Sequence, residues 1–135
     1  MKVVMNSVIK YNAILIFLIL FNRCTFSVDK QIVGKVWVIE ECLYFEESTE
    51  DTISLMPYLK INTLVFNLDK SCRHPSWNGE NCEWSLLSNR DSIKIISNDD
   101  FISGVFKIKL RNRKENNVLE MCLESKSIYL KCVKL

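Results

Sequence analysis

The amino-acid sequence predicts an all-β domain: an antiparallel up-and-down meander, closed into a small barrel, behind an N-terminal signal segment. Three observations predict it. Strand-like runs of residues follow one another through most of the chain, short polar turns separate them, and a separate apolar stretch precedes them all. Alternation of apolar and polar residues is typical of strands with one buried face, and short turns favour antiparallel neighbours. A barrel is expected because closure removes exposed sheet edges.

The N-terminal segment has the pattern of a secretory signal. Two lysines and no acidic residue precede an apolar run at residues 13–21. A membrane-spanning helix needs about 20 apolar residues, so this run is short for a span. Two cleavage positions are compatible with the sequence: before Cys24, whose thiol is then acylated and anchors the protein to a membrane, or near Ser27, which releases a secreted protein. We therefore assign residues 1–27 to the signal and 28–135 to the barrel domain.

The net positive charge of the chain comes from that signal segment. Residues 1–23 hold three of the 18 basic residues and none of the 16 acidic ones, so the net charge of the remainder is near −1 rather than +2. Nucleic-acid-binding domains carry a clear excess of basic residues. The composition therefore excludes nucleic acid as an expected partner.

Seven runs are predicted to be strands, and one long stretch is not. Leu64, Phe66 and Leu68, for example, alternate with polar or outward positions in the second run. The stretch 46–60 starts with acidic and hydroxyl residues, is compatible with a short helix opening at 46–50, and contains Pro57, which would stop that helix. We expect a solvated connection there. The predicted strands are 35–42, 62–69, 82–88, 91–96, 104–113, 118–124 and 127–135.

Five cysteines lie beyond the signal, and export places them where disulfides persist. Cys72 and Cys82 are the predicted pair, because they flank a polar loop that contains Pro75 and Asn78-Gly79. A metal site formed by Cys72, His74 and Cys82 is the alternative. Its spacing matches no common zinc pattern, so the disulfide is favoured and no metal is expected.

The remaining cysteines are constrained by the alternation of the last two strands. If Met121 and Leu123 point into the barrel, Cys122 points outward, whereas Cys132 shares the inward face of Leu130. A bridge between Cys122 and Cys132 is therefore not expected. Cys42 reaches Cys132 only if the first and last strands pair.

The order of elements resembles the bacterial lipocalin-like domain family, small exported proteins that are often lipoproteins. The resemblance covers residues 33–135 and is carried by Gly34-Lys35-Val36-Trp37, LVFNLDKSCR, ENCEWSL with SIKI, FKIKLRN, NNVLEM and SIYLKCVK. It implies a meander barrel with an interior able to hold one small apolar ligand. The candidate lining residues are Trp37, Phe66, Trp84, Phe106 and Met121, and Trp37 is also a candidate plug for one end.

Two functions follow from these expectations, and neither is catalytic. One is a non-enzymatic exported protein of the cell envelope that binds a small apolar ligand in its barrel. The other is a barrel with a packed core that contacts, or inhibits, another envelope or extracellular protein. Trp77 in the Cys72–Cys82 loop and an outward stripe of basic residues are its candidate contact surfaces. The stripe consists of Lys107, Lys109, Arg111, Arg113 and Lys114. The sequence contains no glycine-rich phosphate loop and no arrangement around His74 that suggests a triad, so no cofactor is expected.

Overall fold

The computed structural model describes residues 27–74, 81–99 and 102–135. Within them a five-residue helix, α1 (Val28–Ile32), precedes nine strands. The strands are β1 (Val36–Phe45), β2 (Thr52–Ser54), β3 (Thr63–Phe66), β4 (Ser71–Arg73), β5 (Asn81–Leu86), β6 (Ser92–Ile96), β7 (Gly104–Asn112), β8 (Leu119–Glu124) and β9 (Ile128–Lys134).

Eight of these strands form a closed antiparallel barrel, which confirms the predicted fold class. The strands β3 to β9 each pair with the next along the chain, and β1 pairs with both β3 and β9. The ninth strand, β2, is an addition that lies beside the C-terminal half of β1, with Leu43 opposite Ser54. Sequential antiparallel pairing with closure between the first and last barrel strands is the up-and-down arrangement.

Two short strands and one helix were not predicted, and the stretch 46–60 differs from expectation. No helix forms at 46–50, where residues 47–49 make a turn; β2 follows, and a 3-10 turn spans Met56–Tyr58. Pro57 lies inside this 3-10 turn rather than ending a helix. Proline is accommodated there because the first helical turn does not use its missing N–H.

A β-bulge in β1 keeps two glutamates out of the barrel. The register with β9 pairs Ile39 with Cys132 and then Glu41 with Lys131, so Glu40 is an extra residue in β1. Strict alternation after Trp37 and Ile39 would direct Glu41 inward. The extra residue shifts the alternation, so Cys42 becomes the next buried side chain.

The interior of the barrel is one contiguous apolar core. Large side chains from β1, β3 and β5 to β9 point inward and pack together with Ile32 of α1. Leu55, Met56 and Leu59, which flank or form the 3-10 turn, pack against this core from its margin. The core therefore extends from α1 at one end of the barrel to the side of β1 covered by the 3-10 turn.

Candidate functional site

All five candidate lining residues lie in this core. Trp37, Phe66, Trp84, Phe106 and Met121 are almost completely buried and belong to the same cluster of packed side chains. The structure thus brings these five residues together, whereas Leu68, which shares the predicted face of Leu64 and Phe66, is 83% exposed. Their mutual packing forms the apolar core of the barrel.

One end of the barrel is closed by tryptophan side chains. The indole Nε1 of Trp37 donates a hydrogen bond to the carbonyl oxygen of Ile32 in α1 at 3.2 Å, and Gly34, with a left-handed φ of +68°, turns the chain between them. Trp84 contacts the Phe66 ring edge-to-face at 5.3 Å between centroids. Its Nε1 donates to the carbonyl oxygen of Asn67 at 3.0 Å. Both indole N–H groups are therefore satisfied where they are buried.

Three concave surfaces formed by described residues lie on the outside of the barrel. One, of about 500 Å³, is bounded by Glu40, Glu120 and the hairpin that joins β7 to β8. A second, of about 160 Å³, has Cys122 and Tyr129 at its base, and a third, of about 400 Å³, lies beside Glu83 and Ile96. Of the five candidate lining residues, none borders any of these three concavities.

A buried carboxylate on the outer face of the barrel is the centre of the first concavity. Glu120 of β8 lies opposite Arg111 of β7, and its side chain is only 2% exposed. Arg111 Nε donates to Glu120 Oε1 at 2.5 Å, and Arg113 Nε donates to Glu120 Oε2 at 2.8 Å. The remaining amino groups of Arg113 donate to both carboxylate oxygens of Glu40. Glu40 is the extra residue of the bulge in β1, and its side chain is exposed on the outer face of the barrel.

The cover over Glu120 is thin, since it consists mainly of the two arginines. Their side chains are 67% and 24% exposed. Burial by itself would raise the pKa of the Glu120 carboxyl, but hydrogen bonds from Arg113 and Arg111 outweigh it, and the pKa lies below its usual value. Hydrogen bonding to Glu40 and Glu120 in turn raises the pKa of Arg113. All four groups are therefore charged at neutral pH.

The hydrogen bonds around Glu120 extend further, to the thiol of Cys122 and the hydroxyl of Tyr129. Cys122 Sγ donates to Glu120 Oε1 at 3.7 Å and accepts from the Tyr129 hydroxyl at 3.3 Å. The hydrogen bond with Cys122 is the main cause of the raised pKa of Tyr129. We call the six connected residues Glu40, Arg111, Arg113, Glu120, Cys122 and Tyr129 the Glu120 network.

The structure confirms the predicted bridge and the predicted faces of the other cysteines. Cys72 and Cys82 are directly opposite each other on β4 and β5 and form a disulfide, with their Cα atoms 4.8 Å apart. Neither thiol is then available to a metal. Cys132 lies in the core, whereas Cys122 is on the outer face, opposite Lys131. Strands β1 and β9 do pair, but Cys42 and Cys132 remain free thiols.

Burial makes these two interior thiols poor acids. It raises the pKa of Cys42 from 9.0 to about 11, and it raises the pKa of Cys132 further. Thiolates are the reactive form of cysteine, so both groups are inert at neutral pH.

His74 points into the barrel at the end away from α1. Its ring is fully buried, and Nε2 lies 2.8 Å from the Ser97 hydroxyl oxygen. Ser97 Oγ also accepts a hydrogen bond from the backbone N–H of Asp99 at 3.0 Å. These contacts fasten the segment after β6 to the end of β4.

Other predictions from the sequence fall on residues that the structure leaves undescribed. They are the signal segment before Ser27, the acylation candidate Cys24, and Trp77 in the Cys72–Cys82 loop. In the parts of the chain that are described, no helix has the length and apolar character needed to cross a bilayer.

The Glu120 network was not predicted, although part of its signal was present. The sequence placed Lys107, Lys109 and Arg111 on one face of β7, and it placed Glu120 and Glu124 on the outer face of the next strand. Opposite charges on neighbouring strands of a hairpin are expected to pair. The burial of Glu120 and the contact with Glu40, which is 73 residues from Arg113, required the closed barrel.

The fold and the site together define a class: a small, eight-stranded, up-and-down β-barrel with an apolar core, a disulfide and a polar network on its outer wall. Comparison with protein-family models, with curated proteins and with solved structures finds no match to this chain.

Proposed function

We propose that this protein is a non-enzymatic, exported binding module, in which the filled barrel is a scaffold and the Glu120 network contacts an acidic surface of another protein. The buried carboxylate of Glu120 carries the proposal. Its two arginines are held in place before any partner arrives, so little side-chain entropy remains to be lost on binding.

The chemistry of the network suits a protein interface. Arginine and tyrosine are enriched where proteins bind each other. Among the described residues, Arg111 donates to Glu120 through its Nε alone. Its two terminal amino groups are not used in that bond. Basic residues outnumber acidic ones by six to four around the two adjoining concavities. A carboxylate-bearing partner is the complementary surface.

Export is the second component of the proposal. The disulfide between Cys72 and Cys82 supports it, because such bonds persist in oxidising compartments. Intact mass of the protein recovered from membranes and from medium tests it. Cleavage before Cys24 with added acyl chains, or cleavage near Ser27, is the expected result; an uncut chain contradicts it.

The protein-binding role is tested with two arginine variants. Arg111→Ala is expected to reduce recovery of the partner by tenfold or more, on the order of 1.4 kcal/mol or greater, as for interface arginines. Arg73→Ala removes an exposed arginine from the outer face of β4, outside the network, and is the matched control. Partner recovery after cross-linking in the native compartment is measured for both. Equal recovery with the two variants refutes the assignment to this face.

A small apolar ligand inside the barrel is the second candidate, and the family resemblance is proposed with it. The closed eight-stranded wall with an apolar interior favours it, since this is the smallest barrel that holds a ligand. Native mass spectrometry of the protein purified without lipid extraction tests it. A bound apolar mass supports this role, and displacement by a fluorescent apolar probe places that mass in the barrel.

A further inference from the structure

The antiparallel order of the strands gathers one set of turns around α1. The turns 67–70, 87–91 and 113–118 follow β3, β5 and β7, which all run towards the end where β1 begins. Leu135 lies there too, because its N–H donates to the carbonyl oxygen of Val36 at 3.0 Å. We call this the α1 end; it consists of residues 28–36, the three turns, and residues 134–135.

The two ends of the barrel carry opposite charge. The α1 end has seven basic and four acidic side chains. The described turns at the opposite end, 46–51, 97–99 and 125–127, have five acidic side chains and one basic side chain. The basic residues of the α1 end are Lys30, Lys35, Lys70, Arg90, Arg113, Lys114 and Lys134.

The positive charge at the α1 end is not fully balanced locally. Lys35 donates to the carbonyl oxygens of Lys30 and Gln31 rather than to a carboxylate. Burial and the nearby charge of Lys134 both lower the pKa of Lys35. The second effect is repulsion between like charges, and a bound anion would relieve it.

The same end exposes the two most accessible large apolar side chains of the described residues. Leu68, in the turn between β3 and β4, is 83% exposed, and Leu135 is 80% exposed. Val36 lies beside Leu135 and is also exposed. Basic residues combined with protruding apolar side chains are characteristic of proteins that bind the surface of an anionic membrane.

We propose that the α1 end is a membrane-binding surface, by which the barrel rests on a bilayer containing anionic lipids. This goes beyond the proposed contact with a protein and does not depend on it. The lysines and Arg90 meet the lipid phosphates while Arg113 stays paired with Glu40 and Glu120, and Leu68 and Leu135 enter the headgroup region. The acidic end then points away from the bilayer.

The position of α1 relative to the signal segment agrees with this orientation. Only three residues separate Cys24 from α1, and a chain extends at most about 3.6 Å per residue. An acyl chain on Cys24 would therefore hold the α1 end within about 15 Å of the membrane surface. A basic surface beside the lipid attachment point adds an electrostatic attraction to anionic lipids.

The test compares two triple variants of the full chain in a competition between vesicles. Lys30, Arg90 and Lys134 are exposed residues of the α1 end outside the Glu120 network and its concavity, whereas Lys60, Lys94 and Lys126 are exposed residues elsewhere. Each set is changed to Gln, so both variants lose the same charge. Sucrose-loaded vesicles of equimolar phosphatidylcholine and phosphatidylglycerol compete with unloaded phosphatidylcholine vesicles, and sedimentation gives the partition ratio. Both variants keep the leader and its basic residues, so any preference for anionic lipid that the leader contributes is the same in both.

The unmodified chain is expected to prefer the anionic vesicles. Each basic residue at an anionic surface contributes about fivefold, so the α1-end variant is expected to lose about 100-fold of that ratio. The control variant keeps it, and high salt abolishes it. Three results overturn the proposal: no preference in the unmodified chain, an unchanged ratio in the α1-end variant, or an equal loss in both variants. Thermal unfolding checks the fold, and if the triple variant is unstable, Arg90→Gln with Lys134→Gln is expected to lose about 25-fold.

Discussion

The effect of truncating Phe106 on stability distinguishes a barrel with a packed interior from a barrel that holds a ligand. This side chain from β7 is 1% exposed, lies opposite Ile93 of β6, and belongs to the apolar core. Phe106→Ala removes a ring that is out of contact with water, so the contacts of the ring with its neighbours are lost and are not replaced by solvent. If the interior is filled, the change leaves a void and lowers the free energy of unfolding by about 3–5 kcal/mol.

The neighbouring residue supplies the control. Val105 is half exposed on the outer face of the same strand, so Val105→Ala is expected to lower the free energy of unfolding by less than about 1 kcal/mol. Urea unfolding followed by tryptophan fluorescence gives both values by linear extrapolation. The total stability of a small domain is about 5–15 kcal/mol, so Phe106→Leu provides a milder variant if the alanine protein does not fold.

The result that refutes the filled-barrel interpretation is a small effect at the inward position. If Phe106→Ala costs no more than Val105→Ala, the ring borders space rather than packed atoms. The apolar-ligand function would then replace the scaffold function. A large effect that is reversed by adding an apolar ligand would show that the cavity was created by the substitution.

Three further predictions concern the disulfide, a buried thiol and the Glu120 network. Replacing Cys72 and Cys82 together by Ser is expected to lower the free energy of unfolding by about 2–3 kcal/mol, because the bridge closes a loop of sequence separation 10; an unchanged urea midpoint contradicts this. The pKa of Cys42 is raised from 9.0 to about 11, so the stability it contributes is complete below pH 9 and disappears as the pH rises towards 11. Cys42→Ala should weaken that alkaline loss, and an identical alkaline profile refutes it. The pKa of Glu120 is lowered, so its contribution is present above the unfolded pKa and is lost as the pH falls through the folded value. Glu120→Gln should lack this part of the acid-unfolding curve followed by circular dichroism, and a curve that keeps its full acid slope argues against the network.

The barrel could be predicted because alternation determines which face of each strand is buried. The run from Val105 to Leu110 illustrates this, since Phe106 and Ile108 are buried while Lys107 and Lys109 are exposed. The same reasoning placed Cys132 inside and Cys122 outside. These assignments need only the period of a strand and the location of water.

The short strands were missed because three residues carry too little alternation to detect. Ser71–Arg73 forms β4 through pairing with β3 and β5, and the disulfide supports it. Thr52–Ser54 forms β2 although all three residues are exposed, because β1 extends beyond β3 and offers it a free edge. Tertiary pairing, rather than local preference, determines both strands.

The Glu120 network could be predicted only in part, for a related reason. The opposite charges on the outer faces of β7 and β8 could be predicted from the sequence. The burial of Glu120, however, depends on Arg113, whose side chain extends along the barrel wall to Glu40. That contact joins the end of β7 to β1, which the pairing of β1 with β9 brings near each other, and Glu40 is the extra residue of the bulge in β1. A bulge leaves no distinct pattern in one sequence, since Ile39, Glu40 and Glu41 also fit an unbroken strand.

The two proposed surfaces constrain each other through Arg113. This residue belongs to a turn of the α1 end, and it is also the link between Glu120 and Glu40 on the barrel wall. If the α1 end rests on a bilayer, the Glu120 network stands on the side of the barrel next to that bilayer, and the acidic end is the part farthest from it. A protein that reaches Arg111 from the side must then itself lie close to the membrane. Partner recovery should accordingly fall in the α1-end variant as well, although its substitutions leave Arg111, Arg113 and Glu120 intact.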